Sequence, residues 1–354
     1  MFKYYISAFL IAGGVAFILT PLIRRLSLAM NWLDKPNWRK LNKKPMPLLG
    51  GVAIYLGFAL SLILLIYKEP FAANAYKLLG LLWTTFIVVL IGIADDIHGL
   101  TPRRKLFYQA VSAMIIYLFG YSIIKVSSPL GGSFHAPELL RMILTIIWII
   151  GFTNAINLID GLDGLSSGVV AIISGSLFFA ALKSNNPIMA ILAIVLCGSS
   201  LGFLPHNFYP AKIFMGDSGS MFLGFMLSII SIEGAYKGAT FAAMLVPVIA
   251  MAIPFLDTSL SIIRRILSGR GIFKADKEHI HHRLMLREGS QKKAVLTLYS
   301  LTLSFGLIAI ALSGMKGIWA YSAILITVLL TLRWLKNSKL IDFERTNPHS
   351  EEDK

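Results

Sequence analysis

The chain has 354 residues, of which 56% are apolar or aromatic and only 14% charged, against about a quarter charged in a soluble domain. That excludes disorder, collagen and a disulfide scaffold, and the one cysteine, Cys197, permits neither an internal disulfide nor a cysteine-based zinc site. The net charge of +15 would raise nucleic-acid binding in a soluble protein. No nucleic-acid-binding motif accompanies it here, and cytoplasmic loops, anionic substrates and lipid headgroups are the competing explanations.

A spanning helix takes about 20 mostly apolar residues. Eleven such runs follow in chain order: roughly 4–23, 51–67, 75–94, 106–124, 139–156, 165–182, 187–205, 216–233, 239–263, 294–313 and 317–334. Two are atypical, 165–182 being rich in small residues and 216–233 opening with polar ones. In the first run the basic pair Arg24–Arg25 follows the apolar stretch, and no small-residue cleavage site is evident. It therefore reads as a retained helix with its N-terminus outside rather than a signal peptide. Threaded this way, the inner loops and tail hold 25 of the 33 Lys and Arg residues and the outer segments 8, the bias expected of cytoplasmic loops. The expected fold class is an all-α polytopic integral membrane protein with about 11 transmembrane helices, a cytoplasmic C-terminus and an active site on the cytoplasmic face. Residues 1–335 read as a single transmembrane catalytic domain and 336–354 as a polar cytoplasmic tail.

The same threading puts 15 of 18 acidic residues inside. Asp95, Asp96, Asp160, Asp163, Asp217 and Asp257 adjoin or enter apolar runs. One such carboxylate can be a paired or snorkelling helix-end group; six on one side point to a cavity.

Five inner loops carry compact polar motifs. The first, around Lys43-Lys44-Pro45-Met46-Pro47-Leu48-Leu49-Gly50-Gly51, offers two lysines that suit phosphate or serve as ordinary positive-inside charge. In the second, the adjacent Asp95 and Asp96 repel each other and favour a divalent cation or a shared proton; Arg103, Arg104 and Lys105 follow as lipid-facing charge or substrate ligands. The third spaces Asn157, Asp160 and Asp163 by three, one face of a helical turn, with Gly161 and Gly164 between them; an EF-hand lacks its terminal Glu here. The fourth runs Asn207-Phe208-Tyr209-Pro210-Ala211-Lys212-Ile213-Phe214-Met215-Gly216-Asp217-Ser218-Gly219-Ser220. Its Gly and Ser residues offer N–H groups to an anion at a helix start. Asp217 beside them would repel that anion unless a metal lay between, which suggests Asp–Mg²⁺–phosphate, and Phe214 either stacks on a base or joins the core. The fifth gathers His279, His281, His282 and Arg283. Zinc lacks a fourth ligand there, and phosphate binding suits the basic surroundings. A carboxylate–metal centre, cationic phosphate ligands and a membrane suggest transfer of a phosphorylated group from a soluble anionic donor to a lipid.

The blocks Lys43–Gly51, Ala94–Leu100, Asn154–Leu165, Ala211–Ser220 and His279–Leu284 resemble, in order, those of the polyprenyl-phosphate N-acetylhexosamine-1-phosphate transferases (glycosyltransferase family 4). His279-Ile280-His281-His282-Arg283, in place of a His-His-His run, is similar to the WecA/TagO-type N-acetylhexosamine branch rather than the phospho-MurNAc-pentapeptide branch, the second reading. The resemblance implies transfer of GlcNAc-1-phosphate from a UDP-sugar to undecaprenyl phosphate with release of UMP. It further implies Mg²⁺ or Mn²⁺, a homodimer and a bacterial plasma-membrane location. It implies a catalytic set of Asp95, Asp96, Asp160, Asp163, Asp217 and His281, with Asp217 and Asp96 as metal ligands. Lys43, Lys44, Asn157, Asn207, Lys212, Phe214, His279, His282 and Arg283 are then the substrate-binding set. A secondary transporter, the rival from another class, would hold its acids near the bilayer midplane, whereas these cluster at one face.

Overall fold

The computed structural model describes residues 1–36, 44–123, 125–127, 133–135, 137–237, 248–256, 258, 280–313, 322, 325–327, 329 and 333, with backbone alone for 125–127, 133–135, 235–237 and 280–283. The chain is an all-α, multi-pass membrane protein. Its described helices are α1 (Phe2–Ala29), α2 (Gly50–Leu65), α3 (Ala75–His98), α4 (Pro102–Leu118), α5 (Glu138–Ile159), α6 (Leu165–Lys183), α7 (Pro187–Asn207), α8 (Gly216–Lys237), α9 (Ile280–Glu288) and α10 (Gln291–Leu312). Nine of the eleven expected apolar runs coincide with a helix; 239–263 and 317–334 fall largely outside the described residues. Six helices are long and apolar enough to cross a membrane, namely α1, α3 with its preceding 3₁₀ turn, α5, α6, α7 and α10. Two short antiparallel ribbons also form: β1 (Leu33–Asp34) pairs with β2 (Met46–Pro47), and β3 (Lys125–Ser127) with β4 (Ser133–His135).

Local chemistry sets the helix starts. Thr101 caps α4 by accepting from the Arg104 N–H, with Pro102 at the first helical position; Asn186 and Pro187 do the same for α7. An unpaired hydroxyl is costly in an apolar bundle. Thr84, Thr85, Thr145, Thr153 and Thr302 each donate to the carbonyl four residues earlier. Pro21 inside α1 has no N–H for the Phe17 carbonyl, and the His206 ring of α7 donates to that oxygen at 3.1 Å. Small residues then bring α1, α2 and α7 close: a methyl on Gly57 would overlap the Ala12 carbonyl, and one on Gly13 would press the Gly198 carbonyl.

Helix α8 is the axis of the bundle. Every residue from Ser218 to Glu233 is buried, and α2, α3, α5, α6 and α7 all pack against it. The chain alternates direction, so α1, α3, α5 and α7 end, and α2, α4, α6 and α8 begin, at the same end of the bundle. Contacts across that end confirm the alignment: the Arg24 guanidinium donates to the Lys212 carbonyl at 3.0 Å, and the Ala211 N–H to Asp163 at 3.0 Å.

Candidate active site

The shared end of the bundle gathers the polar motifs around the first turn of α8. Pro47–Gly51 docks on the segment before that helix through three backbone bonds. Phe214 N–H donates to Pro47 (2.8 Å), Gly50 N–H to Phe214 (3.0 Å) and Gly51 N–H to Met215 (2.9 Å). The first N–H groups of α2, which no helix can satisfy internally, are thereby used to hold residues 214–215. Gly216 turns the chain into α8 with φ +72°, and a methyl there would meet the Asp96 carboxylate, so only glycine suits both the conformation and the close approach.

Asp96, from the last turn of α3, accepts from the backbone N–H groups of Asp217 (2.7 Å) and Ser218 (3.1 Å). It acts as the cap of α8 supplied from another helix. Asp96, expected as the second metal ligand, accepts one backbone N–H bond on each oxygen at the helix start, and each oxygen keeps a further lone pair. The neighbouring Asp95 is buried, takes the Leu100 N–H at 2.7 Å on Oδ1, and presents Oδ2 to Lys105 Nζ at 3.0 Å.

Lys105, near the start of α4, lies at the centre. Its Nζ is 2.6 Å from Asp217 Oδ1 and 3.2 Å from Asn157 Oδ1 in addition to Asp95. Asn157, in the last turn of α5, donates its amide to Asp217 and to Ser220 Oγ, the latter at 2.7 Å. Four helices thus place Asp95, Lys105, Asn157 and Asp217 on one point.

The turn after α5 adds two more carboxylates. Asp163 accepts the Ala211 N–H and so holds the loop before α8. Asp160 is half-buried, and desolvation, then the charges of Asp217, Asp96 and Asp163, push its carboxyl up to about 8. Two of these carboxylates, Asp95 and Asp217, pair with Lys105, while Asp96 and Asp163 bond backbone N–H groups.

The remaining expected residues lie as follows. Asn207 is buried, accepting from Ser167 Oγ at 3.0 Å and donating to the Ile213 carbonyl at 3.1 Å, so its side chain shapes the 208–215 loop from within. Phe214 is half-buried with its backbone pinned. Lys44 and Lys212 are exposed at the same end. Lys43 and His279 lie outside the described residues, as do the side chains of His281, His282 and Arg283, whose backbone opens α9. The central residue that the motifs did not single out is Lys105. In sequence it is the third of three basic residues at a helix start, which is also how ordinary loop charge reads.

Among the described residues no three His, Cys, Asp or Glu side chains form a metal cluster. The converging donor set is instead two carboxylates and one carboxamide, all hard oxygens. Mg²⁺ is commonly held in that way, by one or two carboxylates with substrate phosphates completing the shell. The set fits such an ion.

The family model for glycosyl transferase family 4 matches residues 78–235, which include Asp95, Asp96, Lys105, Asn157, Asp160, Asp163 and Asp217. The chain is 37% identical to a probable undecaprenyl-phosphate N-acetylglucosaminyl 1-phosphate transferase of Bacillus subtilis, over 87% of this chain and 84% of that one. It is 33% identical to a decaprenyl-phosphate N-acetylglucosaminephosphotransferase of Mycobacterium leprae, over 82% and 79%. It is also 30% identical to a phospho-N-acetylmuramoyl-pentapeptide-transferase of Bacillus velezensis, over 86% and 95%. On similarity of that extent, the chain belongs to glycosyl transferase family 4, the polyprenyl-phosphate N-acetylhexosamine-1-phosphate transferases.

Proposed function

We propose that the protein transfers N-acetylglucosamine-1-phosphate from UDP-GlcNAc to undecaprenyl phosphate, releasing UMP and forming a lipid-diphosphate-sugar that starts an envelope polysaccharide. The observation that carries this is the convergence of Asp95, Lys105, Asn157 and Asp217 from four helices at one end of a membrane bundle. Relatives at 37% and 33% identity named for this transfer support the choice of sugar.

The reaction breaks one phosphoanhydride and makes another. An oxygen of the lipid phosphate forms the new bond to the donor's β-phosphorus, and the bond from that phosphorus to the UMP oxygen breaks. The second pKa of a phosphate monoester is about 6, so the acceptor is already mostly dianionic at neutral pH. A general base has little proton to remove. What the site must do is bring two anions together and hold them in line. Lys105 supplies cationic charge at the centre; Asn157 orients the Asp217 carboxylate; the Asp96 cap fixes the turn that carries it. Asp217, Asp95 and Asn157 are the residues that would hold Mg²⁺ or Mn²⁺, and a bound ion there supplies charge neutralisation to the phosphates. His281, His282 and Arg283, at the start of α9, serve the donor's diphosphate or sugar in this reading, and His279 and Lys43 are proposed for the same role.

Eleven spans, an outside N-terminus and a cytoplasmic site in a bacterial plasma membrane complete the proposal, supported by the 25 to 8 distribution of basic residues. The protein is expected to act as a homodimer. The test is UMP release by purified protein in detergent with undecaprenyl phosphate, Mg²⁺ and a panel of UDP-sugars. Lipid- and Mg²⁺-dependent UMP from UDP-GlcNAc is the expected result. UMP from UDP-MurNAc-pentapeptide alone would move the protein to the other branch, and none from any donor would end the transferase reading.

A further inference from the structure

Lys105 does more than a paired surface charge would. An ammonium has three N–H donors, and here three oxygens from three different helices face it: Asp217 Oδ1 at 2.6 Å, Asp95 Oδ2 at 3.0 Å and Asn157 Oδ1 at 3.2 Å. These are the same hard oxygens that fit a divalent ion. A compact point charge on a flexible four-carbon stem therefore sits where that ion's ligands converge, and its side chain is only 15% exposed. A cation and the ammonium on the same Asp217 oxygen would repel each other at contact distance, so the two compete for it. Rooted in the first turn of α4, which starts at Pro102, the lysine can swing off these oxygens without moving a helix.

We propose that Lys105 is a tethered counter-ion that competes with the divalent cation for Asp217, Asp95 and Asn157, and is released toward the incoming phosphates when the cation takes those oxygens. The inference rests on the metal-dependent transfer proposed above and adds an order to it. While the lysine holds the oxygens, a free cation binds weakly. A nucleoside diphosphate gives the displaced ammonium new anions and strengthens cation binding, so donor and cation bind cooperatively. The carboxylates are never left facing one another uncompensated, which such a cluster could not tolerate.

The test measures cation binding directly, apart from turnover. Purified full-length protein in detergent, without substrates, is titrated with Mn²⁺, free ion being followed by electron paramagnetic resonance. In parallel, the Lys105 amine is labelled with an acylating reagent, with and without Mn²⁺, and quantified by mass spectrometry. Lys105→Met is expected to bind Mn²⁺ about tenfold more tightly than the parent, the factor gained if the competent state is populated about a tenth of the time in the parent. Asp217→Asn is expected to lose that binding. In the parent, Lys105 labelling is expected to rise several-fold as Mn²⁺ saturates. Lys105→Gln replaces Lys105→Met if the latter does not fold. Equal Mn²⁺ affinity in parent and variant, no binding by either, or labelling that Mn²⁺ leaves unchanged would each overturn the proposal. A protein that shows the exchange but releases no UMP would retain this inference and lose the transferase reading, so the two fail separately.

Discussion

The carboxylate of Asp96 caps the helix that carries Asp217, accepting the Asp217 N–H at 2.7 Å and the Ser218 N–H at 3.1 Å. Its neighbour Asp95 faces the other way, toward Lys105. Adjacent positions on a helix point about 100° apart, so one acidic pair supplies both a structural cap and a cation-facing oxygen. The two acids are therefore separable by mutation. Asp96→Asn turns an amide donor toward backbone donors and is expected to cost about 2 kcal/mol while keeping Mn²⁺ affinity within a few-fold. Asp217→Asn is expected to leave the melting temperature near that of the parent and lower UMP release at least about 100-fold. Asp96→Asn losing Mn²⁺ binding as completely as Asp217→Asn would refute the division of labour.

How much of this was legible follows from what each residue depends on. Caps and apolar runs are local, so Thr101-Pro102, Asn186-Pro187 and most helices read directly from the chain. The clustering of Asp95, Asn157, Asp160, Asp163 and Asp217 at one end followed from counting spans. The roles within the cluster did not. Asp96 and Asp217 are 121 residues apart, Lys105 and Asp217 112, and only the packing of α3 and α4 on α8 assigns cap and counter-ion. Lys105 had no local signature apart from its basic neighbours. Asn207 carries the composition of a ligand, and only the packing of α6 on α7 shows that its amide also bonds Ser167 and the Ile213 carbonyl.

Asp160 makes stability depend on pH. Burial first, then the charges of Asp217, Asp96 and Asp163, raise its carboxyl from 3.8 to about 8. The folded state thus holds a proton that the unfolded chain releases. This contribution is fully present below pH about 4 and is lost as pH rises through about 8. In detergent without divalent cation, the thermal midpoint is expected to fall between pH about 6 and about 8.5. Asp160→Asn is expected to flatten that decline, and saturating Mg²⁺ to offset it. An unchanged pH slope in Asp160→Asn would rule out this origin.

Glycines let two helices press on the turn that bears Asp217. A methyl on Gly51 would overlap the Gly219 backbone, and one on Gly92 the backbone of Ser218. Backbone cannot yield as a flexible side chain can, so Gly51→Ala and Gly92→Ala are each expected to cost about 1–3 kcal/mol. Because the displaced turn holds Asp217, UMP release should fall further than stability alone explains when measured well below the melting transition. Gly151→Ala, with no heavy atom within 4 Å of the added carbon, serves as the control. Parent-like turnover in Gly51→Ala would mean that the turn adjusts freely.

The far end of α8 is held by an ion pair. Glu233 is 5% exposed and bonds Lys77 from the start of α3, whose Nζ also lies 4.3 Å from the Tyr121 ring centroid. The Glu233 carbonyl takes the Asn186 amide at 2.8 Å, so α3, α7 and α8 meet there. From Asp217 to Glu233 the helix runs sixteen residues, roughly 24 Å at 1.5 Å per residue. Removing the Glu233 charge takes away the anion that a half-buried Lys77 faces, a loss of about 1 kcal/mol or more. Glu233→Gln should therefore lower the thermal midpoint clearly. KM for the UDP-sugar in the surviving folded fraction should stay within about twofold, since the pair touches nothing at the catalytic end. The double variant Glu233→Gln with Lys77→Met should recover part of the lost stability, because it removes the ammonium that had faced Glu233. A double variant no more stable than Glu233→Gln alone would show that Lys77 is satisfied without Glu233.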